Sequence, residues 1–316
     1  MNPVTLKQLR YFDAVARTLH FGRAAEVCCI TQPALSMQIL ELERALATTL
    51  IERARTGIRL TTAGVEVAKR ASRMLCDADD LVAFCALTQG PLSGQLRLGV
   101  IPTVAPYLLP TLLAKLKAGY PELELHVRET QTRQLTEELI DGKLDCIVLA
   151  LPAEGRELAT MPLFADRFLL AVPKSYPFSG HVRATREMIE DERLLLLEEG
   201  HCLRDQALAY CDLQQTSQIN TLGISTLSTV AGMVAAGHGI TLLPEICLDV
   251  ETRGRPIVIA PFVAPEPFRS LGLVWRASSP RASDFRELGR LLQSCQPPER
   301  DRARWSGGKR GARVKA

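Results

Sequence analysis

Between Thr62 and Thr88 the chain contains no proline, and its one glycine there, Gly64, stands near the start. Val65, Ala68, Ala71, Leu75, Leu81, Val82 and Phe84 give the stretch one apolar side, so it reads as a single long helix. A helix of this length standing between two domains buries that side best against a second copy of the chain. Gln89-Gly90-Pro91-Leu92-Ser93-Gly94 ends it and marks a hinge. Four regions follow: a helical unit at 1–61, a linker and dimerisation helix at 62–91, an α/β region at 92–296 and a tail at 297–316.

The first sixty residues read as short helices plus a small hairpin. Leu6, Leu9, Phe12, Val15 and Ala16 keep helical spacing, and Phe21, Ala24, Ala25 and Cys28 line a second helix. After a turn at Cys29-Ile30, Thr31 is a candidate cap and Pro33 suits a first helical turn. Leu35, Ile39, Leu42 and Leu46 form the apolar stripe of a third helix. Leu50–Arg53 and Ile58–Leu60 pair across Arg55-Thr56-Gly57. Two helices joined by a tight turn make a helix-turn-helix, whose second helix enters the major groove. Here that helix carries Gln32, Pro33, Ser36, Met37, Gln38 and Glu41 off its apolar stripe. Gln and Ser reach base edges and phosphates. Arg53, Arg55, Arg59 and Thr61 would contact phosphates in the manner of a wing. A plain three-helix unit without DNA is the open alternative.

Beyond Gln95 strands alternate with helices, from Leu96–Ile101 through Leu123–Val127 and Cys146–Ala150 to Leu271–Trp275. The alternation predicts a mostly parallel, doubly wound α/β architecture. Ligands in such sheets bind beyond the carboxyl ends of strands. Thr103, Thr132 and His201-Cys202 each follow a strand end, although each threonine is equally placed to cap a helix. Cys202 lies where the apolar run Leu194–Leu197 gives way to a helical pattern at Asp205–Tyr210. Amides at a helix N-terminus, with Arg204 nearby, favour a thiolate over a thiol. An inert buried cysteine is the alternative, against which His201, Arg204 and Asp205 count. Cys211 adds a second thiol nine residues on.

Composition narrows the classes. With 47% hydrophobic and 23% charged residues among 316, this is an ordinary globular chain. No apolar run is long enough for a membrane span, and Met1–Lys7 lacks the apolar core of a signal peptide, so a cytoplasmic location is expected. The nine cysteines are then expected as reduced thiols, and none has metal-ligand spacing; no cofactor is implied. Core packing is the expectation for Cys28 and Cys29. The net charge of +3 is no argument for nucleic acid. Seven Lys/Arg against Glu299 and Asp301 make the tail +5, which leaves the rest at about −2. That Gly/Arg-rich tail reads as disordered, either adding DNA contacts or only solubilising.

Phe21-Gly22-Arg23-Ala24-Ala25, Thr31-Gln32-Pro33-Ala34-Leu35-Ser36-Met37-Gln38-Ile39, Leu42-Glu43, Glu52-Arg53 and Leu60-Thr61-Thr62-Ala63-Gly64 resemble the LysR-type transcriptional regulators. Met233–Pro244 is similar to the signature of that family's regulatory domain. Gly99–Val104, Gly142–Cys146 and Gly200–Ala207 with Cys211 look like its OxyR-type, peroxide-sensing branch. The likeness runs from about residue 5 to 292.

The resemblance implies a winged helix-turn-helix, a dimerising linker helix and a two-lobed doubly wound α/β regulatory domain similar to periplasmic binding proteins. The lobes would be 92–166 with 268–296, and 167–267. It places Gln32, Pro33, Ser36 and Gln38 at double-stranded DNA, makes Cys202 the thiol that hydrogen peroxide attacks and Cys211 its resolving partner, and implies a homotetramer. Thr103, Thr132, His201 and Arg204 would hold the peroxide. RNA polymerase and cytosolic thiol reductants are the further partners expected; no membrane and no enzymatic turnover are. If residues 203–211 are helical, the two cysteines stand about 13 Å apart, beyond the roughly 7 Å between Cα atoms that a disulfide allows. The bond would then require local unwinding. This chain departs from the family at Leu40-Glu41, where basic residues are usual, and at Ala47, where glycine is usual. The rival readings are a regulator with a small organic effector between the lobes, and a thiol peroxidase, which leaves the first sixty residues unexplained.

Overall fold

Local rules explain most of the first unit. The computed structural model describes residues 4–54, 57–86, 91–155, 157–178, 183–190, 192–211, 219–220 and 223–296. Arg55 and the tail 297–316 lie outside the described residues, and Arg53 and Cys211 are described by their backbone alone. Helix α1 (Leu6–Thr18) opens with a capping box. The Thr5 hydroxyl accepts from the Gln8 N–H, and the Gln8 side chain accepts from the Thr5 N–H. Then come α2 (Phe21–Val27), α3 (Gln32–Leu46), β1 (Ile51–Ala54), β2 (Gly57–Leu60) and the long α4 (Thr62–Ala86). Leu35, Ile39 and Leu42 of α3 are buried together with Leu9, Phe12, Val15, Ala24 and Leu50. One carboxylate, Glu43, ties the end of α3 to the hairpin, accepting from the N–H groups of Leu50 and Ile51. On α4, Val65, Met74, Leu81 and Val82 stay exposed.

The second unit begins with β3 (Gly94–Val100), α5 (Ala105–Gly119), β4 (Leu123–Glu129), the first half of α6 (Thr132–Ile140), β5 (Cys146–Leu151) and β6 (Leu158–Pro173). Next are α7 (Glu187–Glu190), β7 (Leu194–Leu195), α8 (Cys202–Cys211), β8 (Ile219–Asn220), α9 (Leu227–Ala235) and β9 (Thr241–Pro244). It closes with α10 (Leu248–Glu251), β10 (Ile257–Pro261), β11 (Phe268–Arg276) and α11 (Ala282–Gln293).

The main sheet runs β10-β6-β11-β5-β3-β4, with β9 also on β6. It is mixed, not mostly parallel as the alternation suggested. Only β3 with β4 and β3 with β5 are parallel in it. Strand β11 returns late in the chain and inserts antiparallel between β5 and β6. Apolar alternation along a sequence carries no information on strand direction, which is why the expectation failed. Strand β6 changes partners along its length. Up to Arg167 it pairs with β11, and from Phe168 onward with β9 and β10. Of the expected strand Leu194–Leu197, only Leu194–Leu195 is paired in a ladder, although all four side chains are buried. No helix among the described residues is long and apolar enough to cross a membrane.

At the end of α3, Ala47 takes the left-handed conformation (φ 49°, ψ 36°), which a Cβ disfavours by about 1–2 kcal/mol per residue. Ala47→Gly should therefore stabilise the N-terminal unit by about 1 kcal/mol. Urea denaturation followed through that unit will show a raised midpoint; an unchanged or lowered midpoint contradicts this account.

Candidate functional site

The reactive segment is built by a sharp turn between β7 and α8. Gly200 sits at φ 93°, and a Cβ there would run into the side-chain amide of Gln131, so glycine answers both conformation and space. Gln131 Nε2 donates to the Glu199 carbonyl at 3.3 Å. This bond ties the start of α6 to the turn before Cys202. Thr132 is the first residue of α6 and Cys202 the first of α8, so two helix N-termini are joined through the Gln131 contact.

Cys202 is half-buried and forms no disulfide. Its neighbour His201 is buried at 5% exposure. Burial pushes the imidazole below its ordinary range, and the Glu198 carboxylate, 4.0 Å away, opposes that only in part. His201 is thus neutral near pH 7, with one ring nitrogen able to accept and the other to donate. Arg204 reaches back to Glu199 (3.1 Å). Among the described residues, Thr132 Oγ1 at the start of α6 and Arg204 Nε and Gln206 Oε1 on α8 are buried without a hydrogen-bond partner. Such atoms are uncommon in folded proteins and point to a small polar guest or water. Gln206, one helical turn beyond Cys202, was not among the sequence candidates; its i, i+4 spacing from the cysteine was the available signal.

Thr103 is held differently. Its Oγ1 accepts from Arg269 Nη1 at 2.8 Å and its carbonyl from Arg269 Nη2 at 3.1 Å. Arg269 is fully buried and bonded through Nε to Asp166 Oδ2 (2.9 Å), while Asp166 Oδ1 accepts from the Ile246 N–H. Burial raises the Asp166 carboxyl above its ordinary range, with Arg269 pulling the other way. Because Thr103 accepts from Arg269, its own hydroxyl proton remains available to donate. Sequence reasoning missed both Arg269 and Asp166. Charges set within two largely apolar strands, Asp166 beside Arg167 on β6 and Arg269 on β11, were the signal. Thr103 has its hydrogen bonds to Arg269, whereas His201 and Arg204 follow the Gly200 turn directly and Thr132 follows Gln131, whose side chain contacts that turn.

On the N-terminal unit, Gln32 and Pro33 are exposed at the first turn of α3, and Ser36 and Gln38 are half-exposed beyond them. Gln38 Nε2 donates to Glu41 Oε2 at 2.8 Å, so this amide is held by a carboxylate. Thr61 donates its only hydroxyl proton to the Thr49 carbonyl and accepts from the Gly64 N–H, which makes it the cap of α4. Arg59 is exposed on β2. Thr31 stands at the N-cap of α3 without a side-chain capping bond. Core packing holds for Cys28, but Cys29 is exposed in the turn at φ 52°. Its left-handed backbone turns the side chain away from the helices.

Residues 6–65 match the helix-turn-helix model of the lysR family of bacterial regulatory proteins, and residues 89–295 match the LysR substrate binding domain. The DNA-binding transcriptional dual regulator OxyR of Escherichia coli (strain K12) is 38% identical over 291 residues, 92% of this chain and 95% of that protein. A probable hydrogen peroxide-inducible genes activator of Streptomyces viridosporus is 41% identical over 293 residues, 92% of this chain and 94% of its own. Among solved structures, a full-length OxyR variant from Pseudomonas aeruginosa superposes with a TM-score of 0.80 at 35% identity, covering 93% of this chain and 96% of that one. A hydrogen-peroxide-bound OxyR variant from Corynebacterium glutamicum gives 0.64 at 36% identity, covering 93% of each.

Two outcomes follow from these geometries. His201 should titrate below about 6.5 by NMR. Its folded value lies under its unfolded one, so its contribution to stability is present above about 6.5 and is lost as pH falls. His201→Gln should flatten that part of the stability profile; an unaltered slope would count against a buried neutral imidazole. Glu41→Ala should tighten DNA binding by about three- to tenfold at fixed salt, since it removes a carboxylate from the reading face and releases the Gln38 amide. Fluorescence anisotropy showing equal or weaker affinity would refute this.

Proposed function

The chain belongs to the LysR family of bacterial helix-turn-helix transcription regulators, within its OxyR group, and on that premise we propose that it reports hydrogen peroxide to DNA through Cys202 and Cys211. The observation that carries this reading is that one helix begins at the first cysteine and ends at the second. Nine steps along α8 separate the Cα atoms by about 13 Å. A disulfide tolerates about 7 Å, so the reduced and oxidised segments must differ in fold.

Chemistry at the site proceeds in two steps. The Cys202 thiol and hydrogen peroxide give Cys202 sulfenic acid and one water, as the peroxide O–O bond breaks. The Cys211 thiol then attacks the sulfenic sulfur, forming the S–S bond and releasing a second water. Thr132, with its unpartnered hydroxyl, His201 and the Arg204 Nε–H supply hydrogen bonds for the peroxide and the departing oxygen. Thr103, oriented by Arg269, adds a fourth group. One equivalent is consumed per switch, and thiol–disulfide exchange with cytosolic reductants resets it.

DNA would be read by residues 1–61 through Gln32, Pro33, Ser36 and Gln38, with Arg53, Arg55 and Arg59 on the phosphates. Thr61 acts there through the cap it makes. The 62–91 helix would pair two copies by the exposed side that carries Met74 and Leu81, and two pairs would form the tetramer. Residues 92–296 would be the sensing domain. Refolding of α8 changes the surface each copy offers its partner, and thereby the spacing of DNA-reading heads and contacts with RNA polymerase.

Cys202→Ser should abolish peroxide-dependent transcription while DNA binding stays measurable. Cys211→Ser should leave Cys202 oxidation intact and let the sulfenic acid accumulate, as detected by dimedone labelling and mass spectrometry. Normal peroxide induction in Cys202→Ser would favour a regulator with an organic effector and end the thiol reading.

A further inference from the structure

We propose that Tyr210 is the gate of the resolving step: its ring holds the last turn of α8 in place and thereby sets how fast oxidised Cys202 meets Cys211. The inference rests on the Cys202–Cys211 reading above. Leu203, Ala207 and Tyr210, at i, i+4 and i+7, form the face of α8 that packs into the hydrophobic cluster of this part of the domain. Leu203 and Ala207 are buried, and the Tyr210 ring lies edge-on to the fully buried Phe262 with centroids 5.2 Å apart. The Arg186 guanidinium stands over the same ring, 5.5 Å from its centroid. A ten-residue helix has little stability of its own in water, so these anchors decide whether it stays wound.

The first turn is tied down around the reacting sulfur, by Leu203 in the core, by the Arg204–Glu199 ion pair and by the Gln131 bond to the turn before it. The end that must yield is the one carrying Cys211, and Tyr210 is the anchor next to it. Cys202 sulfenic acid therefore waits until the Tyr210 ring leaves Phe262 and Arg186. The Cys211 thiol then attacks, the S–S bond forms and water departs. Tyr210 touches neither peroxide nor sulfur in this scheme; it is a positioning residue.

The test is stopped-flow oxidation of the full-length protein by hydrogen peroxide, with both steps resolved and the reduction potential of the disulfide measured against glutathione. Tyr210→Ala should leave sulfenic acid formation within about twofold and speed disulfide formation about tenfold, the weight of an aromatic contact and its cation neighbour. The same factor makes the potential about 30 mV more negative. Tyr210→Phe, which keeps the ring, should retain most of the wild-type delay in the second step. Tyr210→Leu serves if the alanine variant does not fold, with acceleration in the same direction. Leu227→Ala, in the same cluster but on α9, controls for general loosening and should not accelerate the second step. An unchanged second step in Tyr210→Ala and Tyr210→Leu, or equal acceleration in Leu227→Ala, overturns the gate while leaving the disulfide switch standing. Failure of the wild type to form the Cys202–Cys211 bond overturns the switch itself, and the gate with it.

Discussion

The docking of one short helix is the constraint on which the sensing half depends. Helix α8 carries a cysteine at each end, and its ten residues would not stay helical in water on their own. Leu203 and Ala207, both in the core, hold it wound. Burial of a single large aliphatic side chain contributes about 1.5–3 kcal/mol, so the loss of one such contact is enough to loosen a helix this short.

The buried polar groups of this unit fall into two kinds. Arg269 and Asp166 satisfy each other in a dry interior, with the Ile246 N–H and Thr103 completing the network. Removing one partner of such a pair leaves an unpaired buried charge, at a cost of about 3–5 kcal/mol, so the pair fixes the Thr103 hydroxyl rigidly. Thr132, Arg204 and Gln206 instead keep atoms without partners. One set is preorganised and complete, the other preorganised and incomplete.

The helix-turn-helix half has its own local features. Glu41 holds the Gln38 amide on the exposed side of α3. Ala47 ends α3 in a conformation that suits glycine, and Cys29 does the same in the turn before α3. Neither position packs into the core, so the strain is tolerated without disturbing the stripe of Leu35, Ile39 and Leu42. Thr61 bonds inside the unit, and its contribution to the DNA face runs through the start of α4.

Much was legible before any coordinates. Helical periodicity located α1 to α4, turn residues located the hairpin, and the pattern around Cys202 located the start of α8, because these are local properties set by neighbours a few residues apart. Strand direction was not legible, since β11 joins β5 and β6 across more than a hundred residues of chain. Arg269 and Asp166 were missed for the same reason: a charge in an apolar strand gains its meaning from a partner 103 residues away. By itself the sequence determined the elements, the DNA-reading unit and the chemistry that a cysteine pair makes available. Only the tertiary structure decided which hydroxyls are free to donate, which charge is neutralised and how firmly α8 is held, because those depend on burial and on contacts between residues distant along the chain.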